Sequence, residues 1–260
     1  GNELRGKVLG IIGLGSVGSL LAQTASVLGM KIIGYDPYIS VDAAWMLPKE
    51  VKKAEELNHL LSNSDYISLH IPLTDKTKNF ISKKNLNAFK PGSKLINLSR
   101  GGIVNNEDIL EALQQRKVSN FVTDFPTKEL IERSVTEKDV ILLPHLGAST
   151  KEAEINCAVM ASEQVKKFLN DGVIINSINF PKVSLGRTTK YRMVIIHKDE
   201  PGVIGMLAGE VAAEGINIPD MINKSRNEIA ITLIDLEKEP SKNIISNIKN
   251  METVLSIRVC

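Results

Sequence analysis

Two side chains that could transfer a proton or bind an anion follow apolar stretches of this chain. Arg100 comes directly after Lys94–Ser99, and His145 comes directly after Val140–Pro144. Histidine can accept a hydroxyl proton near neutral pH, and the forked guanidinium of arginine can hold a carboxylate or an oxo oxygen. An enzyme that uses a nicotinamide cofactor to act on a hydroxyl group needs both of these functions. Read singly, either residue could equally be an ordinary surface or packed side chain.

A glycine-rich turn indicates a second kind of chemistry, phosphate binding. Gly13, Gly15 and Gly18 form a G-x-G-x-x-G pattern after the apolar run Val8–Ile12, and Asp36 ends the next apolar run. Glycine lets a pyrophosphate approach the backbone at a helix N-terminus, and the carboxylate holds ribose hydroxyls. Because a carboxylate repels a 2′-phosphate, the sequence predicts NAD rather than NADP. The alternative is a glycine turn in another kind of α/β protein.

The elements around these residues alternate between strands and helices. Short apolar runs recur over residues 8–144, separated by helix-length segments, which is typical of an α/β fold with a doubly wound parallel Rossmann-type sheet. Ligands of such sheets lie at the carboxyl ends of the strands. Several polar residues lie at the ends of predicted strands, and we expect them to converge on one crevice: Asp36, His70, Ser99, Arg100, Asp124 and His145.

The rest of the chain predicts a second, smaller unit. Residues 149–170 carry an apolar stripe at helical spacing, and residues 172–189 show little periodicity and are predicted to be a linker. Residues 190–260 indicate the order β-α-β-β-α-β, a ferredoxin-like arrangement. Two helices would cover one face of its sheet and leave the other face free for a partner. We therefore predict domains at 1–171 and 190–260.

Composition argues against several other classes of protein. The 260 residues carry a formal net charge of +2, which gives no electrostatic basis for binding nucleic acid or a membrane surface. The two cysteines provide neither a disulfide framework nor a metal-ligand spacing. No apolar stretch approaches the ~20 residues of a membrane span, and the first residues lack a signal-peptide core. We expect a cytoplasmic protein without metal, nucleic acid or membrane partners.

The motifs around these residues resemble the D-2-hydroxyacid dehydrogenase family. The matching segments cover most of residues 4–171 and are 6–15, 69–77, 96–104 and 143–150. Within the family, residues 176–181 and the β-α-β-β-α-β tail are similar to the branch that acts on 3-phosphoglycerate and carries an ACT domain. The resemblance implies an NAD-dependent oxidoreductase that catalyses the first step of L-serine biosynthesis.

The resemblance also implies roles for individual residues. Arg100 would bind the carboxylate and oxo oxygen of the substrate, and His145 would be the acid/base. The residues that would line the cofactor are Gly13, Gly15, Ser16, Val17, Gly18, Asp36, His70, Ile71, Pro72, Thr77, Leu98, Ser99, Arg100, Asp124, His145, Gly147 and Ala148.

The family's third catalytic residue is a glutamate, and here the chain departs from the family pattern. The family reads Asp-Val-Phe followed shortly by Glu-Pro, whereas this chain reads Asp-Phe-Pro-Thr-Lys-Glu from Asp124 to Glu129. Alignment on Phe-Pro-Thr places Lys128 at the glutamate position. Keeping Asp124 in its family role places Glu129 there instead, and we take Glu129 as the predicted catalytic carboxylate.

The tail resembles ACT domains that bind L-serine between paired copies. His197, Asp199 and Asn217 match the effector positions. However, Asp199 stands where the serine-inhibited enzymes have asparagine, and a carboxylate cannot donate to the carboxylate of the effector. Two interpretations stay open, an L-serine effector site and a tail that only builds a homo-oligomer.

Three functions are compatible with these observations. The first is hydride transfer between NAD and 3-phosphoglycerate or 3-phosphohydroxypyruvate. The second is reduction of glyoxylate or hydroxypyruvate, which only the tail disfavours. The third is a non-catalytic NAD sensor or assembly protein, against which the presence of both Arg100 and His145 argues. Family members have most of a substrate domain before the equivalent of Asn2, so we expect it to be missing and turnover to be poor.

Overall fold

The computed structural model of the chain describes residues 2–260, apart from the side chain of Asp42. Residue 1, where the first predicted domain begins, lies outside the described residues. The chain forms two compact units, Gly1–Leu146 and Gly147–Cys260. Within the described residues, no helix has both the length and the apolar character needed to cross a bilayer.

The first unit is built on a seven-stranded sheet in which every strand pair is parallel. The strands are β1 (Val8–Ile12), β2 (Lys31–Tyr35), β3 (Lys52–Lys53), β4 (Tyr66–Leu69), β5 (Ser93–Asn97), β6 (Val118–Thr123) and β7 (Val140–Leu142). The helices between them are α1 (Ser16–Val27), α2 (Val41–Trp45), α3 (Leu57–Asn63), α4 (Lys83–Leu86), α5 (Asn106–Gln114) and α6 (Lys128–Thr136). The strands lie in the order β3-β2-β1-β4-β5-β6-β7, which confirms the predicted parallel α/β sheet.

The apolar runs form strands because the central part of the sheet is buried on both faces. Leu9, Ile11 and Ile12 of β1 are buried, and so are Ile67 and Leu69 of β4. Continuous burial of this kind is typical of parallel strands with helices on both sides. The sequence analysis missed β3, which consists of two exposed lysines at the edge of the sheet and has no apolar pattern.

The second unit contains a four-stranded antiparallel sheet. Its elements are α7 (Lys151–Asp171), β8 (Tyr191–Lys198), α8 (Val203–Ala213), β9 (Asp220–Arg226), β10 (Ile229–Leu236), α9 (Lys242–Lys249) and β11 (Val254–Val259). The strands lie in the order β11-β8-β10-β9. Val203 and Leu207 of α8 and Ile244 and Ile248 of α9 are buried in one apolar core with this sheet.

The other face of this sheet is covered by the segment predicted to be a linker. Ile174 and Val183 form an antiparallel bridge and are buried in a cluster with Val194, Ile231 and Leu233 of the sheet. The prediction of a free face is therefore wrong. The segment shows no periodicity because it is not a regular element, yet Ile174 and Val183 are removed from water on the sheet.

Candidate active site

The glycine turn after β1 leads directly into α1 and leaves space at only one of its three glycines. Gly13 has a φ of 92°, and a Cβ atom there would lie 2.5 Å from the carbonyl oxygen of His70. A Cβ atom on Gly18 would overlap the carbonyl oxygen of Gly13. A Cβ atom on Gly15 would have no described heavy atom within 4 Å. A phosphate can therefore approach the backbone at Gly15, at the N-terminus of α1.

Asp36 follows β2 and is held by two backbone N–H groups. Its Oδ2 accepts a hydrogen bond from Leu14 N at 2.8 Å, and its Oδ1 accepts one from Tyr38 N at 2.9 Å. Since β2 pairs with β1, with Tyr35 opposite Ile12, the carboxylate lies beside the glycine turn. In this arrangement a carboxylate can accept from ribose hydroxyls while the phosphates bind to the turn.

A cleft of about 790 Å³ lies where β1, β2 and β4 end. The predicted cofactor residues that line it are Gly13, Gly15, Asp36, His70, Ile71, Pro72 and Thr77. Ser16 and Val17 are exposed at the start of α1. The strand order reverses between β1 and β4, and ligands of doubly wound sheets bind at that point. The turn, the carboxylate and the cleft together fit a dinucleotide.

Two of these residues shape the wall of the cleft. The hydroxyl of Thr77 donates to the carbonyl oxygen of Pro72 at 2.6 Å and accepts from Thr74 N at 2.7 Å, which closes the loop after β4. His70 Nε2 lies 2.9 Å from the hydroxyl of Ser68. Burial lowers the pKa of His70, so its imidazole is neutral at pH 7.

A second cavity, of about 390 Å³, lies at the carboxyl ends of β5, β6 and β7. Its lining includes Asn97, Gly101, Asp124, Phe125 and His145. The three strands are neighbours in register, with Asn97 opposite Thr123 and Thr123 opposite Leu142. The loops that follow them, which carry the predicted catalytic arginine and histidine, therefore leave the sheet at one edge.

The turn that carries Arg100 is fixed by a residue that the sequence analysis missed. Asn97 is buried at the end of β5, and its Nδ2 donates to the carbonyl oxygen of Arg100 at 3.0 Å. Its Oδ1 accepts from the N–H and the hydroxyl of Ser99 at 3.2 and 2.9 Å. Leu98 and the Arg100 side chain are exposed, so the amide fixes the backbone and leaves the guanidinium accessible.

His145 is paired with Asp124, and the distance between Nδ1 and Oδ2 is 2.8 Å. The Asp124 side chain is 10% exposed, whereas that of His145 is 54% exposed. The ring of Phe125 packs on the imidazole with 5.0 Å between centroids. A Cβ atom on Gly101 would lie 3.3 Å from the same phenyl ring, so the arginine loop and the histidine share this neighbour. The sequence analysis assigned Asp124 to the cofactor only and missed Phe125.

Glu129 is not brought to His145. It is an exposed residue in the first turn of α6, whose N-cap is Thr127. A hydrogen bond from its own N–H, and a second from the Thr127 hydroxyl, lower the pKa of Glu129. The structure does not support Glu129 as the partner of His145, because the Thr127 cap starts a helix that directs Glu129 into a surface groove shared with α5.

The remaining predicted residues belong to the second unit. Gly147 and Ala148 are exposed at its beginning. His197 is buried, with Nε2 2.8 Å from the hydroxyl of Thr232, and Asn217 donates to Glu237 at 2.9 Å. The polar groups of these two predicted effector residues thus have partners within the unit, while Asp199 is exposed.

Known proteins are similar to this chain in sequence and in fold. Residues 1–147 match the family described as D-isomer specific 2-hydroxyacid dehydrogenase, NAD binding domain. The chain is 34% identical over 256 residues to a putative D-3-phosphoglycerate dehydrogenase of Schizosaccharomyces pombe, and 34% identical over 244 residues to D-3-phosphoglycerate dehydrogenase of Escherichia coli. These alignments cover 90% and 91% of this chain, but only 53% and 58% of the two relatives.

Among solved structures, D-lactate dehydrogenase with NAD+ from Lactobacillus jensenii is similar, with a TM-score of 0.56 and 27% identity. That match covers 65% of this chain and 54% of the other. The chain thus spans little more than half the length of each of these proteins.

Proposed function

Because the chain belongs to the D-isomer specific 2-hydroxyacid dehydrogenase family, we propose that it acts in hydride transfer between NAD and 3-phosphoglycerate, the first step of L-serine biosynthesis. The observation that carries this proposal is the placement of Arg100 and the Asp124–His145 pair after neighbouring strands. Binding of NAD alone requires neither residue. The likeness to relatives named D-3-phosphoglycerate dehydrogenase supports the choice of substrate.

Arg100 binds the anionic end of the substrate in this mechanism. Its guanidinium presents paired N–H donors, which match the two oxygens of a carboxylate or a carboxylate and an adjacent oxo group. The side chain is exposed, and its Nη1 donates to the neighbouring carbonyl oxygen of Ser99 at 2.7 Å. A carboxylate that replaces this contact forms a stronger, charge-assisted bond.

His145 handles the proton in the same mechanism. During oxidation its imidazole accepts the proton of the substrate hydroxyl as the hydride leaves the carbon that bears this hydroxyl. NAD, when bound, supplies the hydride acceptor. In the reverse direction, the imidazolium returns the proton to the oxo oxygen. The Phe125 ring on one side of the imidazole restricts the directions from which a hydroxyl can reach it.

For the second unit, we propose an ACT-like domain at residues 190–260 that builds a cytoplasmic homo-oligomer. The order β-α-β-β-α-β and the strand order β11-β8-β10-β9 support the ferredoxin-like assignment. Because His197 and Asn217 already have partners within the unit, oligomerisation is favoured over L-serine binding. Calorimetry with L-serine tests this preference, and heat of binding would overturn it.

The test of the main proposal measures NADH formation by its absorbance. It uses the protein at its full natural length. We expect 3-phosphoglycerate to be oxidised. Arg100→Gln should lower kcat/KM about 10²–10³-fold, because it removes a positioned charge. His145→Asn should lower kcat about 10²–10⁴-fold, because it removes the proton acceptor. Arg116→Gln, at an exposed arginine before β6, is the matched control and should keep the parent activity.

Two results would count against the proposal. Turnover of glyoxylate or hydroxypyruvate without turnover of 3-phosphoglycerate would favour the reductase function. Binding of NAD without turnover of any of these acids would favour the non-catalytic sensor.

A further inference from the structure

We propose that Asp124 is the positioning residue for His145 and takes the part that the predicted glutamate at position 129 would otherwise have. Its carboxylate would hold the imidazole with the proton on Nδ1, so that Nε2 faces the substrate with a free lone pair. The consequence for turnover rests on the proposed function. The pairing of the two side chains does not, because it is a property of the chain alone.

The geometry of the pair carries this proposal. Nδ1 of His145 and Oδ2 of Asp124 are 2.8 Å apart, a distance typical of a hydrogen bond to a charged acceptor. An ionised carboxylate has no proton to donate, so the proton in this bond belongs to Nδ1. The Asp124 side chain is nearly buried and the His145 side chain is half exposed, so the carboxylate lies on the buried side of the imidazole.

The backbone around Asp124 is rigid, which a positioning residue requires. Asp124 directly follows Thr123, the last residue of β6. The carbonyl oxygen of Thr123 accepts from Leu143 N at 3.0 Å, and its hydroxyl accepts from Phe125 N at 3.2 Å. The backbone on both sides of Asp124 is therefore held by the strand pair β6–β7, and the His145 loop follows the second of these strands. A side chain fixed in this way orients its partner at little entropic cost.

The charge of Asp124 has a second effect. When Nε2 accepts a proton, the imidazole becomes a cation that faces the carboxylate at hydrogen-bond distance. Oδ1 of Asp124 is buried and, among the described residues, has no hydrogen-bond partner. One oxygen thus serves His145, and the other keeps its acceptor capacity, so that a role of Asp124 beside the cofactor is compatible with this pairing.

The alternative carboxylate, Glu129, is exposed and already accepts hydrogen bonds from its own helix turn. It accepts from its own N–H and from the hydroxyl of Thr127, and it lines a groove on α6 that does not include His145. The two candidates can therefore be separated by neutral, equally sized substitutions, Asp124→Asn and Glu129→Gln.

The test is side-chain ¹H–¹⁵N spectroscopy of the protein labelled at histidine, at about pH 8.5, above the usual range of histidine titration. The chain has four histidines, and the spectrum of His145→Asn identifies the signals of His145 by their loss. In the parent protein, we expect a proton on Nδ1. In Asp124→Asn, the Nδ1-protonated population should fall, whereas in Glu129→Gln it should persist. Unchanged signals of the other histidines would verify the fold of each variant.

Two outcomes would overturn the proposal. The first is a parent spectrum in which Nδ1 of His145 carries no proton, a result that needs no variant. The second is a His145 signal that responds to Glu129→Gln and not to Asp124→Asn. If the protein proves to be a dehydrogenase, Asp124→Asn should also lower kcat about 10²–10⁴-fold with a smaller change in KM. If no acid is turned over, the proposed function fails while the spectra still decide the pairing.

Discussion

The carboxylate of Asp36 accepts a hydrogen bond from the backbone N–H of Leu14, with Oδ2 and N 2.8 Å apart. This bond joins the end of β2 to the middle of the glycine turn that follows β1. The residue expected to hold ribose hydroxyls is therefore also a structural part of the phosphate-binding turn. Through this bond, the strand that neighbours β1 helps to fix the backbone of the turn at Leu14.

Alanine substitutions at two glycines of this turn should affect NAD binding and stability separately. Gly15→Ala places its methyl group in open space on backbone that alanine can adopt, with φ −68° and ψ −164°. We expect unchanged thermal unfolding and NAD affinity at least about tenfold weaker, because the methyl occupies the path of the phosphates. Gly18→Ala meets the carbonyl oxygen of Gly13 and should lower the free energy of unfolding by about 1–3 kcal/mol.

Thermal unfolding and NAD titration of both variants check this contrast, with each variant serving as the control for the other. If Gly15→Ala bound NAD as the parent does, the phosphates would not pass Gly15. If Gly18→Ala were as stable as the parent, α1 would have more room to shift than the structure indicates.

The carboxyl ends of several strands in the first unit could be predicted, because an apolar run gives way to a polar residue there. Asp36, Arg100 and His145 each end a readable apolar run, and parallel strands bring their carboxyl ends to one edge. The contacts among such residues could not be predicted, since they depend on the conformations of loops. Thr127 caps the N-terminus of α6, so the chain after Asp124 begins a helix rather than continuing as a loop. Glu129 therefore lies in the first turn of α6 and not at the site.

Two further features could not be predicted from the sequence patterns. Asn97 is one polar residue at the end of an apolar run, and its amide could equally have faced solvent; only the folded turn shows that it binds Ser99 and Arg100. The segment that contains Ile174 and Val183 has no period because it is neither helix nor strand over its length. Its burial follows from the shape of the sheet that it covers.

Asn97→Asp should disturb the arginine turn and lower activity more than it weakens cofactor binding. The substitution keeps an acceptor for Ser99 but replaces the donor to the carbonyl oxygen of Arg100 with a carboxylate oxygen. A buried acceptor without its donor costs about 1–3 kcal/mol, so we expect the turn to rearrange. kcat/KM for the acid substrate should fall about tenfold or more, while the dissociation constant of NAD should change by a smaller factor.

Steady-state kinetics and NAD titration check this expectation. Asn106→Asp is the matched control, because Asn106 lines the same cavity but is exposed in the first turn of α5, where an acidic residue is favourable. Equal losses of activity in the two variants would show that added negative charge, rather than the hydrogen bond to Arg100, is responsible.

The buried ion pair of the second unit should give that unit a distinct response to acid. Arg192 and Asp235 are both fully buried, with Arg192 Nε 2.5 Å from Asp235 Oδ1. Burial by itself raises the pKa of Asp235, but the hydrogen bonds from Arg192 and Thr188 outweigh it, so the pKa lies below its ordinary value. The stabilisation is therefore complete above about pH 3.9, the ordinary pKa of aspartate, and is lost as the pH falls toward the lower folded-state pKa.

Asp235→Asn should remove this acid response and leave Arg192 buried without its charge partner. Breaking a buried pair in this way costs about 3–5 kcal/mol, so β8 and β10 should exchange their amide hydrogens faster at neutral pH. In the parent protein, exchange by local unfolding of these strands should instead accelerate below about pH 4, after correction for intrinsic rates. Glu239→Gln, at an exposed carboxylate just after β10, is the control and should follow the parent. Parallel pH profiles of Asp235→Asn and the parent would show that the acid sensitivity of the unit arises from other carboxylates.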